Sequence, residues 1–196
     1  MTLTRQEFRR DIRQKRNLLS SDDQYQAGQD LIRQFLSLDE YPKSQHIALY
    51  LSTDGEIDTM PLIEALWQRR KQIYLPVLHP FSSGQLLFLN FAPSTPMVYN
   101  KYGIIEPKLD KRLVKPVEQL DLIATPLVGF DAQGHRLGMG GGYYDRTLAR
   151  WHNDAQGPRA IGLAHDCQYV DQLPTESWDV PLTKIVTPSQ IWQWEC

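Results

Sequence analysis

At 196 residues the chain is long enough for one well-buried domain and short for two, and its 41% hydrophobic, 10% aromatic and 22% charged residues describe an ordinary globular protein. A formal net charge of −2 gives no general attraction to nucleic acid or anionic membrane, and no apolar run approaches the roughly 18 residues of a membrane span. Cys167 and Cys196 are the only cysteines, which argues against a disulfide framework or a zinc site; with no signal-peptide core at the charged N-terminus, the reading is a cytoplasmic protein.

In chain order, residues 4–19 and 22–38 read as two helices, with Ser20, Ser21, Asp22 and Asp23 supplying capping chemistry for the second. On the first, Arg5, Arg9, Arg13 and Arg16 fall on one stripe beside Phe8, Ile12 and Leu19, at the border of the packed face. A solvated basic face is the ordinary reading of such a run. The apolar segment 46–52 reads as a strand, followed within a short turn by Glu56, which by itself would pass for a solvated turn carboxylate. A third helix spans 59–70, with Pro61 near its first turn. Further strands are expected at 72–78, 86–91, 122–128, 160–165 and 184–187, that at 86–91 open to antiparallel pairing. The proline-rich, charged section 93–116 is expected to wrap the surface, and a fourth helix covers 145–151. Strand–helix–strand succession without a linker implies one domain over residues 1–196: a layered, Rossmann-like α/β fold with a mainly parallel sheet flanked by helices.

The segment Arg136-Leu137-Gly138-Met139-Gly140-Gly141-Gly142-Tyr143-Tyr144-Asp145-Arg146 places four glycines in five positions beyond the 122–128 strand. Bare backbone there lets consecutive N–H groups converge on an anion, most naturally a phosphate. The segment matches neither G-x-G-x-x-G, because Tyr143 stands where glycine is needed, nor the P-loop, and glycine content alone is equally suited to a flexible turn. The flanks say more: Tyr143 and Tyr144 offer stacking faces, Asp145 a carboxylate for a metal, and Arg136 a fork for phosphate. His165-Asp166-Cys167 cannot be a nucleophilic relay by itself, since neighbours in a strand face opposite ways. His46, His79, His135 and His152 show no metal spacing and read as structural, and Asp179 reads as ordering the C-terminal segment.

The Arg136–Arg146 segment closely resembles the signature of the 5-formyltetrahydrofolate cyclo-ligases (5,10-methenyltetrahydrofolate synthetases). The resemblance continues, in order, through Leu51–Thr59, Tyr102–Pro107, Asp121–Asp131 and Trp178–Leu182. It implies an ATP- and Mg²⁺-dependent enzyme that closes 5-formyltetrahydrofolate, with or without a polyglutamate tail, to 5,10-methenyltetrahydrofolate. It implies ATP contacts at Arg5, Arg9, Arg136, Leu137, Gly138, Met139, Gly140, Gly141, Gly142, Tyr143 and Tyr144. Folate contacts are implied at Leu51, Glu56, Met139, Gly140, Gly141, Gly142 and Tyr143. Asp145 is the implied Mg²⁺ ligand and, with Arg136, the implied catalytic pair, while the family's second acidic metal position matches Thr183. Neither a nucleic-acid nor a membrane partner is implied, and a monomer is expected. Of the competing readings, a nucleotide-binding regulatory module would bind ATP yet lack turnover, and a sugar-phosphate isomerase on a similar sheet leaves the pairing of Glu56 with the Tyr-Tyr-Asp flank unexplained. A nucleic-acid binder using the basic helix is disfavoured by the net charge.

Overall fold

Capping chemistry sets the helix starts. In the computed structural model, which describes residues 3–151 and 157–194, helices α1 (Arg5–Asn17) and α2 (Ser21–Leu36) both open on capping boxes, Thr4 with Glu7 and Ser20 with Asp23. Helix α3 (Met60–Gln68) carries Pro61 in its first turn, where a missing N–H is harmless. Helix α4 (Tyr143–Leu148) begins two residues earlier than expected and ends before Trp151, because Gly142 at φ 64° takes the left-handed conformation that starts it. His152 and Cys196 lie outside the described residues.

All six expected strands form, as β1 (His46–Ala48), β2 (Gln72–Leu78), β3 (Leu86–Asn90), β7 (Leu122–Pro126), β10 (Arg159–Leu163) and β11 (Lys184–Val186). The order of the main sheet is β12-β11-β10-β7-β1-β2-β3-β6, with β6 (Val114–Lys115) and β12 (Ile191–Gln193) at the edges. Strands β11, β10, β7, β1 and β2 pair in parallel, whereas the β2–β3, β3–β6 and β11–β12 pairings are antiparallel, so that β3 and β12 run against the rest. Alternation sorts the core: Ile47, Ile73, Leu75, Leu122, Ala124 and Ile161 face α2 and α3, while Ala48, Tyr74, Phe88 and Ile123 face α4. Strand β1 is shorter than the 46–52 expected, since the chain turns away after Leu49 to build the loop that carries Glu56.

Section 93–116 is a correction. Rather than only wrapping the surface, it holds a hairpin, β4 (Met97–Tyr99) and β5 (Ile105–Pro107), that is joined to β2 by Glu106, whose Oε2 accepts from Leu78 N at 3.2 Å. A second small hairpin, β8 (Gly129–Phe130) with β9 (Arg136–Leu137), carries the chain from β7 into the Gly-rich segment.

Helix α1 docks with only two buried residues, Ile12 and Arg16. Ile12 fits because Gly129 has no side chain: a Cβ there would lie 2.5 Å from Ile12 Cδ1. Arg16, expected at the border of the packed face, is instead wholly buried. Its Nε donates to Asp54 O and its Nη2 to Asp54 Oδ2, both at 2.8 Å, and its Nη1 reaches Leu127 O at 3.5 Å. Arg13, on the surface, shares Asp54 Oδ2 at 2.6 Å. The side chain of His165 is buried against the Arg16 charge and the backbone of Gly55 and Glu56; burial first, then Arg16, push its pKa down to about 4.

The two arginines should separate in a urea titration. Arg16→Ala, which strands the Asp54 carbonyl and carboxylate and opens a cavity, should cost about 3 kcal/mol. Arg13→Ala should cost less than about 1 kcal/mol, as exposed pairs do; equal costs would contradict this account of α1. A second outcome follows from His165. Its folded pKa of about 4 lies below the ordinary 6.5, so the unfolded chain binds more protons between these values. The stability His165 contributes is therefore intact above about pH 6.5 and lost as pH falls toward 4. His165→Asn should flatten the stability–pH curve over that window relative to the parent.

Candidate active site

The strand order reverses between β1 and β7. From β1 the chain proceeds through α3 to β2 on one side, and from β7 through α4 to β10 on the other, which opens a crevice at their carboxyl ends. A cavity of about 450 Å³ occupies that crevice, within the usual range for small-molecule sites. The loop after β1 contributes Leu51, Thr53 and Glu56, the Gly-rich segment faces them, and the β4–β5 hairpin supplies Tyr102 and Glu106.

Glu56 is held by its own turn: Thr53 N and Oγ1 donate to Oε2 at 3.0 and 3.4 Å, leaving Oε1 without a hydrogen bond among the described residues. Burial raises its pKa, partly offset by the Thr53 N–H and the Arg16 charge. An apolar-walled carboxylate with one free oxygen is suited to accept paired N–H donors from a ligand.

Across the cavity stands Arg136, 5% exposed at the start of β9, whose Nη2 donates to Asp145 Oδ1 at 2.6 Å while its Nε is buried without a partner. Asp145 Oδ1 also accepts from Val180 N at 3.3 Å. Arg136 borders a second, smaller cavity of about 180 Å³ as well, together with His135, Glu176 and Asp179. The guanidinium thus presents charge to two adjoining spaces, an arrangement fit for an anion between them.

The Gly-rich turn is fixed from outside. Arg9 Nε donates to Gly138 O at 2.8 Å, Arg146 donates to Gly141 O and, through Nε, to Gly84 O at 2.9 Å. Gly140 at φ 99° and Gly142 at φ 64° hold conformations that a side chain would strain. Since α4 has only six residues, its dipole adds little, and any anion held here depends on the bare N–H groups and Arg136. Tyr143 hydrogen-bonds Tyr102 through their hydroxyls at 2.8 Å, joining the segment to the hairpin, while Tyr144 turns its hydroxyl inward.

Of the residues singled out in the sequence, Leu51, Glu56, Arg136, Gly138, Met139, Gly141, Gly142, Tyr143, Tyr144 and Asp145 line the one cavity. Four do not. The side chain of Leu137 is fully buried, as a core position of the β8–β9 hairpin. Gly140 is exposed beside the Arg9 guanidinium. Arg9 reaches the site only through Gly138 O. Arg5 is spent on Asp179, bonding both carboxylate oxygens, with Nη2–Oδ1 at 2.9 Å, and on Pro174 O at 3.1 Å. Asp179 does order the C-terminal segment, accepting from Glu176 N as well. Thr183 is exposed and borders neither cavity. No cluster of three or more His, Cys, Asp or Glu able to hold a metal occurs among the described residues. Asp145 bonds Arg136 and Val180 through Oδ1 and leaves Oδ2 without a hydrogen bond among the described residues, an oxygen of the kind that Mg²⁺ takes together with substrate phosphates and water.

Tyr102 and Glu106 line the cavity, and Asp54, Arg16 and His165 brace the Glu56 loop from outside it; none of the five was assigned a role at the site from the sequence, although Tyr102–Pro107 carried part of the resemblance. Tyr102 and Glu106 sit in a section without periodicity, where Gly103 at φ 73° was the only local mark of a hairpin turn.

The model of the 5-formyltetrahydrofolate cyclo-ligase family matches residues 1–188. A 5-formyltetrahydrofolate cyclo-ligase of Escherichia coli (strain K12) is 51% identical over 183 residues, 93% of this chain and 100% of the relative. One of Haemophilus influenzae is 51% identical over 185 residues, 94% and 98% of the two chains. Among solved structures, the NMR structure of Aquifex aeolicus 5,10-methenyltetrahydrofolate synthetase superposes with a TM-score of 0.81 at 30% identity, covering 97% of this chain and 93% of that one. The Mycoplasma pneumoniae 5,10-methenyltetrahydrofolate synthetase superposes at 0.74 with 26% identity, covering 95% and 99%. No helix among the described residues is long and apolar enough to cross a membrane. The site at the switch point of a mixed sheet and this agreement along nearly the whole chain lead to one assignment: the protein belongs to the 5-formyltetrahydrofolate cyclo-ligase family, with its ligase activity in folate metabolism.

Proposed function

We propose that the chain converts 5-formyltetrahydrofolate to 5,10-methenyltetrahydrofolate, consuming ATP with Mg²⁺ and releasing ADP and phosphate. The observation that carries this reading is a single cavity with two chemically opposite walls: the carboxylate of Glu56 after β1, and Arg136 with bare glycine backbone after β7. The pterin N–H donors meet Glu56 Oε1 beside Leu51 and Tyr143. The triphosphate meets Arg136 and the backbone of Gly138, Met139, Gly141 and Gly142, with Arg9 fixing the turn from behind. We assign Arg5 a supporting role through Asp179 rather than a direct phosphate contact.

An amide-like formyl oxygen leaves poorly, so it is first phosphorylated. The formyl oxygen attacks the γ-phosphorus, the bond to ADP breaks, and the carbon becomes electrophilic. N10 of the same folate then attacks that carbon, loses its proton, and the C–O bond breaks with departure of phosphate. No protein nucleophile is needed. The chain's task is to hold the two substrates in line and to stabilise charge on the transferring phosphoryl group. Asp145 would hold Mg²⁺, which when bound offsets phosphate charge. Its Oδ1 stays bonded to Arg136, so the carboxylate and the guanidinium are oriented together. We further propose that the enzyme is a cytoplasmic monomer of one domain, the single domain being supported by the continuous eight-stranded sheet with β12 and β6 at its edges, and that it accepts polyglutamylated folate.

Mixing the protein with 5-formyltetrahydrofolate, ATP and Mg²⁺ should produce the methenyl chromophore, and omission of any one should abolish it; turnover without ATP would refute the reading. Glu56→Gln keeps an oxygen for Thr53 but offers the pterin donors an amide in place of a charge. It should weaken folate binding by about 1.5–3 kcal/mol while leaving ATP affinity near that of the parent in calorimetric titrations. Equal losses for both ligands would contradict the division of the cavity.

A further inference from the structure

Two polar atoms on the wall of the main cavity are buried without a hydrogen-bond partner among the described residues, Arg136 Nε and Tyr144 Oη. Arg136 already has a phosphate to meet in the reading above. The resemblance implies an ATP contact at Tyr144 but gives its hydroxyl no chemical role, and that hydroxyl has no hydrogen-bond partner among the described residues. A buried hydroxyl with nothing to bind is a net cost that a phenylalanine at the same place would avoid, so native structures seldom keep one without a use. Its neighbour Tyr143 differs in kind, being bonded to Tyr102 at the mouth.

The position is informative. Tyr144 lies in the first turn of α4, next to Asp145, and its hydroxyl feels the opposed charges of Glu56 and Arg136. With the pterin at Glu56 and the phosphates at Arg136, the space between the two is where the formyl oxygen and the γ-phosphoryl group meet.

We propose that Tyr144 Oη is a catalytic hydrogen-bond donor to the oxygen atoms at the junction of the two substrates: the formyl oxygen and the phosphoryl oxygens joined to it. This rests on the activity proposed above. The hydroxyl transfers no proton. It donates to phosphoryl oxygens as charge spreads over them, and then to the oxygen that leaves with phosphate when N10 closes the ring. Because those oxygens carry most charge after binding is complete, the interaction acts on turnover more than on affinity.

The test is Tyr144→Phe in the full chain, with a thermal melt, KM for each substrate, and kcat from methenyl formation. A packing role and a donor role predict opposite pairings of stability and rate. The donor role gives a melting temperature equal to or above that of the parent, since an unsatisfied hydroxyl is removed. KM values stay within about 3-fold, and kcat falls on the order of 10- to 100-fold, the usual worth of a hydrogen bond to a charged group. A kcat within about 2-fold of the parent would overturn the proposal. So would early melting accompanied by the loss of rate, which would make Tyr144 structural. A rise in folate KM with kcat unchanged would pair the hydroxyl with Glu56 and the pterin and would also overturn it. If the parent itself forms no methenyl product, the underlying activity fails, whereas parent turnover matched by Tyr144→Phe sinks this inference alone.

Discussion

The buried Arg16 guanidinium is the constraint on which the site's geometry depends. Helix α1 buries only Ile12 and Arg16, so apolar area alone does little to set where it docks. Arg16 does so instead, because a wholly buried guanidinium must find acceptors, and those it finds are Asp54 in the loop after β1 and Leu127 at the end of β7. These are the two strand ends that flank the cavity. A buried pair of this kind is weak evidence of net stabilisation, but it tolerates few alternative registers. Once Arg16 is seated, the helix delivers Arg9 to Gly138 O and Arg5 to Asp179, one turn after another along the same stripe.

The same anchor shapes the electrostatics of the cavity. Arg16 partly counters the burial that raises the Glu56 pKa, and it helps keep His165 neutral behind the loop. On the opposite wall, Arg136 is held against Asp145, so neither group can move without disturbing the other. Opposed charges are thus kept apart across an apolar space, Glu56 oriented by Thr53 and Arg136 by Asp145, which is the preorganisation that transfer chemistry between two bound substrates needs. Tyr144 and Asp145 come from consecutive positions of a six-residue helix whose start is set by the left-handed Gly142. Glycine here serves backbone geometry as much as access for a phosphate.

Chemistry and element type were legible in the amino-acid sequence by itself. Apolar runs of four to seven residues marked the six main strands, Ser20 to Asp23 marked the start of α2, and the Gly-rich segment marked one wall of the cavity, because these signals are local, whereas Glu56 on the other wall was marked by the resemblance. Their family order along the chain carried the rest of the assignment. What only the tertiary structure decided was which side chain meets which. The arginine stripe of α1 looked uniform, yet burial separated it into a surface residue, Arg13, and a buried anchor, Arg16; it turned Arg5 to Asp179 and put Leu137 in the core. Those outcomes come from contacts between residues some 40 to 170 positions apart, and a sequence pattern confined to one helix or one loop holds no information about the partner across that distance. The β4–β5 hairpin stayed hidden for the same reason: its strands are three residues each and are recognisable only when paired and laid on β2.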